Sequence, residues 1–163
     1  MKTKRSPLNW AMEALALLAL IATVLLLTSS WQQLPPIVPV HFGVTGAPNA
    51  WGGKDTLWFL PVLSAVLYLS LTIAAKYPSS LNIPIAIDRE QPGVQSLLLG
   101  MAITLKAAVL LVLLALVWLS IQTALGQSDG LGIWFLPVTV MILLLIPIGY
   151  CLKLKRYQRE EKT

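Results

Sequence analysis

The sequence predicts an all-α membrane protein with four transmembrane helices. Three observations lead to this fold class. The 163 residues are 56% hydrophobic and only 12% charged, which leaves too few polar groups to cover a protein folded in water. Four apolar segments reach the roughly 20 residues that a helix needs to cross the hydrocarbon core of a bilayer. The basic residues are concentrated in segments that would all lie on one side of the membrane.

The four predicted spans form one integral membrane domain over residues 1–163. They cover about residues 10–31, 57–75, 98–123 and 131–152. Lys2, Lys4 and Arg5 precede the first apolar run, as they would in a secretory signal. However, no small-residue cleavage site follows this run, and residues 14–31 carry no charge. We therefore expect the first run to be an uncleaved transmembrane helix.

The distribution of basic residues predicts the orientation. With the N-terminus in the cytoplasm, Lys54 is the only one of the 12 Lys and Arg residues that lies outside. Because Lys and Arg accumulate in cytoplasmic segments, both termini are predicted to be cytoplasmic, and the loop at residues 32–56 extracytoplasmic. Tryptophans fall at the predicted outer interface, where such rings are favoured. These are Trp31, Trp58, Trp118 and Trp134.

The pentapeptide WFLPV begins two of the spans, at residues 58–62 and 134–138. Trp is favoured at the membrane interface and Pro is tolerated in the first helical turn, which together explain the repeat. A duplicated helical hairpin is the alternative. The rest of the two halves matches poorly, so the first explanation is preferred.

Two charged residues lie within predicted spans, Glu13 in the first and Lys106 in the third. Charges inside a bilayer are costly, so they are candidates for function. Both are near the predicted cytoplasmic side, where long side chains can extend to the headgroups. They could also pair with each other, or take part in transport. Because each side chain can reach the headgroups unaided, we expect separate extension slightly more than pairing.

The loop between the first two spans holds the only long polar stretch of the chain. Pro35, Pro36 and Pro39 restrict the backbone to extended conformations, so residues 38–42 are predicted to form a short strand or polyproline-like stretch. Residues 44–49 read as consecutive turns in which Gly46 can adopt a positive φ. So many stiffening residues predict a loop with a defined shape, not a flexible linker.

His41 is the only histidine of the chain, and its nearest acid in the loop is Asp55. A structural hydrogen bond is the preferred role, with partner contact and metal binding as alternatives. Cys151 is the single cysteine, which excludes an intrachain disulfide and a cysteine-cluster metal site. No nucleophile–base pairing or glycine-rich phosphate loop is evident. We therefore expect neither catalysis nor a cofactor nor a bound metal.

The loop contains a run of residues that together form a recognisable motif: Leu34, Pro35, Ile37, Pro39, His41, Phe42, Gly46, Pro48, Trp51 and Lys54. With these residues it resembles the motif of a bacterial membrane domain of unknown function that forms the N-terminal part of SdpI-type immunity proteins. Further similarities, typical of a short stand-alone branch, are Tyr77, Pro78, Asn82, Pro84 and Lys106. Relatives usually have an acid where this chain has Asn49. The resemblance implies a bacterial inner-membrane protein that protects against, or senses, a membrane-active peptide.

The predicted function is non-catalytic binding of a peptide, lipid or protein partner through the outer loop. The predicted binding residues are Pro39, His41, Phe42, Gly46, Pro48, Asn49, Trp51 and Lys54. The expected partners are membrane lipids together with a membrane-active peptide or a larger membrane protein complex, and not nucleic acid. Two alternatives are an accessory subunit of a larger complex and a minimal transporter that uses Glu13 and Lys106.

Overall fold

The computed structural model describes residues 5–81, 83 and 87–160. It is mostly helical, and four helical segments are long and apolar enough to cross a membrane, as the sequence predicts. Asn82, Pro84, Lys2, Lys4 and Lys162 lie outside the described residues. The long helices are α1 (Pro7–Ser30), α2 (Phe59–Ala74), α3 (Pro92–Ala124) and α4 (Phe135–Glu160).

Two of the helices extend well beyond the apolar segments that identified them. α3 begins at Pro92, where the sequence suggested about residue 98, and α4 continues to Glu160, where it suggested about residue 152. An apolar run marks where the bilayer core lies, and a helix can continue into polar sequence on either side of it. Helix starts follow local signals instead. The Ser6 side chain accepts a hydrogen bond from the Asn9 amide, and Pro occupies the first turn of α1.

α3 is the central helix of the bundle and contacts each of the other three. More than half of its most apolar stretch is buried, whereas the corresponding stretch of α4 contains no buried residue. Small side chains allow α1 and α3 to approach closely, with Ala16 and Ala19 packed near Ala107 and Leu110. α4 therefore lies at the edge of the bundle, with most of its surface available to lipid.

The segment between α1 and α2 forms a two-stranded antiparallel hairpin of β1 (Ile37–Phe42) and β2 (Pro48–Gly53). The all-α prediction did not include this sheet. A single-turn 3-10 helix (Lys54–Trp58) leads from β2 into α2. The sequence suggested the extended stretch at β1, but not the second strand, because Gly52 and Gly53 are poor strand formers. The strands pair out of step around His41, where the register shifts.

The bundle has two ends of different character. The hairpin end comprises the hairpin and the α3–α4 connection at residues 125–134. It is anchored by an apolar cluster of Leu27, Leu34, Val38, Leu57, Val117 and Ile121. The opposite end comprises the start of α1, the α2–α3 connection and the end of α4. There Ala75 packs with Leu99, Ala102 and Ile103, and Leu81 lies against them.

Candidate functional site at the hairpin end

The hairpin turn rests directly on the α3–α4 connection through glycines. The Leu131 amide donates a 2.8 Å hydrogen bond to the Gly46 carbonyl. Gly46 has a φ of 82°, and a Cβ built on it would collide with the backbone of Gly132. A Cβ on Gly130 would in turn collide with the Gly46 carbonyl oxygen. Only glycine permits both the positive φ and the close approach, so backbone contact fixes where the hairpin lies.

His41 is held by a neighbour on the second strand. Its Nδ1 lies 2.6 Å from Oδ1 of Asn49. An amide oxygen only accepts hydrogen bonds, so Nδ1 donates, and in the neutral ring Nε2 remains an acceptor. The side chains of both residues are exposed. Asn49 thus orients the imidazole without a charge.

Two cavities flank this histidine. The inner cavity, of about 570 Å³, lies between β1, the start of α2 and the last turns of α3. The tip cavity, of about 580 Å³, lies between the hairpin turn and the start of α4. His41, Phe42 and Leu131 line both cavities. No charged residue is among the lining residues of either one, so both are suited to apolar, uncharged groups.

Large apolar side chains surround these cavities and face outward. Val44 at the hairpin turn is 79% exposed and Trp134 before α4 is 74% exposed. Phe59 and Trp51 are also exposed. Tryptophan is favoured at membrane interfaces and at binding surfaces, because its ring is apolar and its N–H is a donor.

The structure brings most of the predicted binding residues together. Pro39 lines the inner cavity with His41 and Phe42, and Gly46 and Asn49 line the tip cavity. Pro48 pairs with Phe42 and Trp51 with Pro39 in the sheet. Lys54 is different, because it is not among the residues that line either cavity. Its Nζ donates to the Trp31 carbonyl at 3.2 Å and lies 4.7 Å from the centre of the Trp31 ring.

Several residues that complete the site could not be predicted from the sequence. Ser120 and Leu116 of α3 line the inner cavity, and Phe135 and Leu136 of α4 line the tip cavity. Each is an ordinary residue of an apolar span. Only Gly130 and Gly132, in the tight turn before α4, carried a signal, since glycine in a turn suggests a positive φ.

At the opposite end, the structure contradicts the expectation that Glu13 and Lys106 extend separately to the headgroups. Lys106 Nζ lies 2.6 Å from Glu13 Oε1 and its side chain is 0% exposed. The same ammonium donates to Thr72 Oγ1 at 2.9 Å and lies 4.7 Å from the centre of the Tyr68 ring. α1, α2 and α3 thus enclose the lysine, and a neighbouring carboxylate satisfies its charge at closer range than the headgroups could.

The carboxylate of this ion pair is less completely satisfied than the ammonium. Glu13 Oε2 is buried and has no hydrogen-bond partner among the described residues. Within the same residues, no three His, Cys, Asp or Glu side chains are grouped so that they could hold a metal ion. The ion pair joins α1 to α3, and the hydrogen bond from Lys106 to Thr72 connects both to α2.

Comparison with known proteins supports the resemblance at the loop. Residues 17–65 match the model of a family described as a domain of unknown function, DUF1648. An uncharacterized protein from Archaeoglobus fulgidus is 34% identical over an alignment of 95 residues, with a coverage of 52% of this chain and 52% of the relative. The chain thus spans about half the length of this curated relative. No solved structure matches the chain. The prediction of a membrane domain of unknown function is confirmed for residues 17–65, which run from within α1 through the hairpin to the start of α2 and are similar to the DUF1648 domain.

Proposed function

We propose that this multi-pass protein resides in a bacterial inner membrane with both termini in the cytoplasm and the hairpin outside. The distribution of charge supports this orientation. At the hairpin end, Lys54 is the only Lys or Arg among the described residues. Arg5, Lys76, Arg89 and the basic residues at the end of α4 belong to the opposite end. Segments rich in Lys and Arg stay in the cytoplasm, which leaves the hairpin on the other side.

Labelling of single cysteines in intact cells tests this orientation. In a Cys151→Ser background, cysteines at positions 45 and 128 should react with a membrane-impermeant maleimide. Cysteines at positions 3 and 160 should react only after the membrane is permeabilised. Reaction of the terminal positions in intact cells would contradict the proposed orientation.

The proposed activity is non-catalytic binding of a partner through the hairpin end. The observation that carries this proposal is the pair of uncharged cavities on either side of His41, held in place by glycine contacts. Concave apolar surfaces with a few polar groups are typical of binding sites.

The chemistry of the cavities limits the partner to one with an apolar, uncharged contact surface. A peptide, a lipid and another membrane protein each meet this requirement. The resemblance to SdpI-type immunity proteins favours a membrane-active peptide, which the protein would bind to protect the cell or to pass on a signal.

Site-specific photo-crosslinking tests the binding proposal. A benzophenone amino acid at position 136 would lie beside the tip cavity, and one at position 144 on the exposed surface of α4 serves as the control. In native membranes, position 136 should capture a discrete partner that position 144 does not. His41→Ala and Trp51→Ala should lower the yield without lowering the amount of protein in the membrane. Equal capture at both positions would show that the hairpin end is only a connector.

An accessory role in a larger membrane complex is the second candidate. The edge position of α4 favours it, because Leu144, Leu145 and Leu152 are all more than half exposed. A subunit should co-purify stoichiometrically with a large complex. If substituting these leucines abolished the co-purification and His41→Ala did not, the result would favour the subunit over hairpin binding. The transporter alternative would require the enclosed Glu13–Lys106 pair to open.

A further inference from the structure

Ser120 stands out among the buried hydroxyl groups of the helices. The hydroxyls of Thr23, Ser64 and Thr123 each donate to the carbonyl four residues earlier in their own helix. Ser120 is only 2% exposed and its hydroxyl forms no hydrogen bond with any described residue. It lines the inner cavity. The hydroxyl oxygen is not among the fully buried atoms that lack a partner, so it is accessible from the cavity and can donate a hydrogen bond to a bound ligand that supplies an acceptor.

Apart from the acceptor Nε2 of His41, the other polar side-chain groups of the inner cavity already have partners. The Thr56 hydroxyl donates to the Gly53 carbonyl at 2.7 Å, and the His41 Nδ1 is engaged by Asn49. The remaining lining is Pro39, Val40, Phe42, Leu57, Phe59, Leu60, Leu116 and Leu131. An occupant of this cavity therefore meets an apolar wall with one free hydroxyl and one free imidazole nitrogen, and no lining charge that could balance a charge of its own.

With the third span ending at about residue 123, as the sequence predicts, the cavity lies near the boundary between headgroups and hydrocarbon. Ser120 precedes the end of α3 at Ala124 by one helical turn, and Leu116 by two. At a rise of 1.5 Å per residue, these positions lie about 6 Å and 12 Å inside that end of the helix. Leu60, near the start of α2, lines the same cavity from the other side. In a bilayer, the ester carbonyls of lipids lie at this boundary and their acyl chains extend inward from it.

We propose that the inner cavity binds one acyl chain of a membrane lipid, with the Ser120 hydroxyl donating to the ester carbonyl. This inference rests on the proposed binding role of the hairpin end and names one ligand for it. A peptide segment fits less well, because each of its residues would bring an N–H and a C=O into a cavity whose free side-chain groups are only the Ser120 hydroxyl and the Nε2 of His41. An acyl chain brings only its carbonyl. A volume of about 570 Å³ is within the range of ordinary ligand sites.

Native mass spectrometry of the purified full chain tests the proposal with two probes, a diacyl phosphatidylglycerol and its dialkyl ether analogue, which lacks the carbonyls. Wild type should retain the ester lipid about fivefold more than the ether lipid, the ratio that one neutral hydrogen bond provides. Ser120→Ala should remove this preference. Ser70→Ala, at an exposed serine of α2, should keep it. Ser120→Leu, which fills the cavity, should lower the retention of both lipids.

Each outcome decides between the possible occupants. Equal retention of the ester lipid by wild type, Ser120→Ala and Ser120→Leu would overturn the proposal. The proposal would also be overturned if Ser120 were required for the binding of an apolar peptide but not for the retention of lipid. If position 136 still captures a partner when Ser120→Ala has no effect on lipid, only the lipid inference fails. If neither lipid nor any other partner depends on the hairpin end, the proposed function fails as well.

Discussion

The two ends of the bundle use polar groups in opposite ways. At the end opposite the hairpin, the Lys106 ammonium is satisfied within the protein by Glu13, Thr72 and the ring of Tyr68. At the hairpin end, shape is set by backbone contacts between glycines, and the Ser120 hydroxyl has no partner among the described residues. At the end opposite the hairpin, the contacts of the lysine hold the helices together. The hairpin end leaves side chains available to a ligand.

This difference has a consequence for the effects of substitutions. Changes at the ion pair should lower the stability of the whole bundle, because three helices meet there. Changes at the hairpin end should alter binding or the local position of the hairpin, with little effect on the stability of the helices. If a substitution at the hairpin end lowered the stability of the whole bundle, the two ends would be coupled.

The largest effect is expected from Lys106→Met. It removes the ammonium and leaves the Glu13 carboxylate buried without a counter-charge, which typically costs about 3–5 kcal/mol. The free energy of unfolding, measured by denaturant titration in mixed micelles, should fall by this amount. Lys76→Met, at an exposed lysine of the same end, is the matched control and should change it by less than about 0.5 kcal/mol.

The double variant Glu13→Gln with Lys106→Met completes this test. If the pair is closed in the membrane-embedded protein, the double variant should be more stable than Lys106→Met alone, with a coupling free energy of about 1–3 kcal/mol. The reason is that the double variant leaves no unpaired charge. Additive single effects would mean that the two side chains extend separately to the headgroups, as the sequence had suggested.

The second prediction concerns Gly46→Ala at the hairpin turn. Alanine at a positive φ and in contact with the Gly132 backbone should cost about 1–3 kcal/mol locally. We expect faster proteolysis of the hairpin and loss of capture at position 136, while global unfolding changes little. Gly53→Ala is the control, since a Cβ there has no atom within 4 Å. A large fall in global stability for Gly46→Ala would show that the contact between the hairpin turn and Gly132 also holds the helices together.

Much of the fold could be predicted because lipid imposes simple constraints. An apolar run of sufficient length forms a helix in a bilayer whatever its neighbours are, so the existence of α1 to α4 followed from hydrophobicity alone. The helix ends did not follow, because polar residues after 152 continue α4 to Glu160. The second strand was missed because Gly52 and Gly53 are poor strand formers and do not indicate the pairing with β1.

Only part of the candidate site could be predicted from the sequence, for a related reason. The sequence predicts Pro39, His41 and Asn49 as binding residues because they are unusual residues in a polar loop. It does not predict Ser120 or Leu131, since a serine in an apolar helix resembles the packing serine Ser64 until its hydrogen bonds are known. The Glu13–Lys106 pair was considered, but its closure depends on how α1 and α3 pack, which is tertiary information.

A smaller effect is expected at the His41–Asn49 contact. Asn49→Ala removes the acceptor of an exposed hydrogen bond and should destabilise the hairpin by no more than about 1 kcal/mol. The yield of capture at position 136 should fall by more than this loss of stability would account for, because the imidazole loses its fixed orientation beside both cavities. Asn49→Asp keeps an acceptor oxygen and should retain most of the capture. If Asn49→Ala and Asn49→Asp capture the partner equally well, the orientation of His41 is irrelevant to binding.

The smallest effect should come from Lys54, the predicted binding residue that the structure sets apart from the cavities. Lys54→Met keeps most of the apolar stem but loses the hydrogen bond to the Trp31 carbonyl and the cation–π contact with its ring. Such contacts contribute about 0.5–1 kcal/mol at partly exposed sites, so the loss of unfolding free energy should be within this range. Capture at position 136 and the ester-over-ether lipid preference should stay at the wild-type level, because Lys54 fastens the base of the hairpin to the end of α1. Loss of capture with unchanged stability would instead make Lys54 a contact residue for the partner. The binding surface would then extend from the cavities to the base of the hairpin.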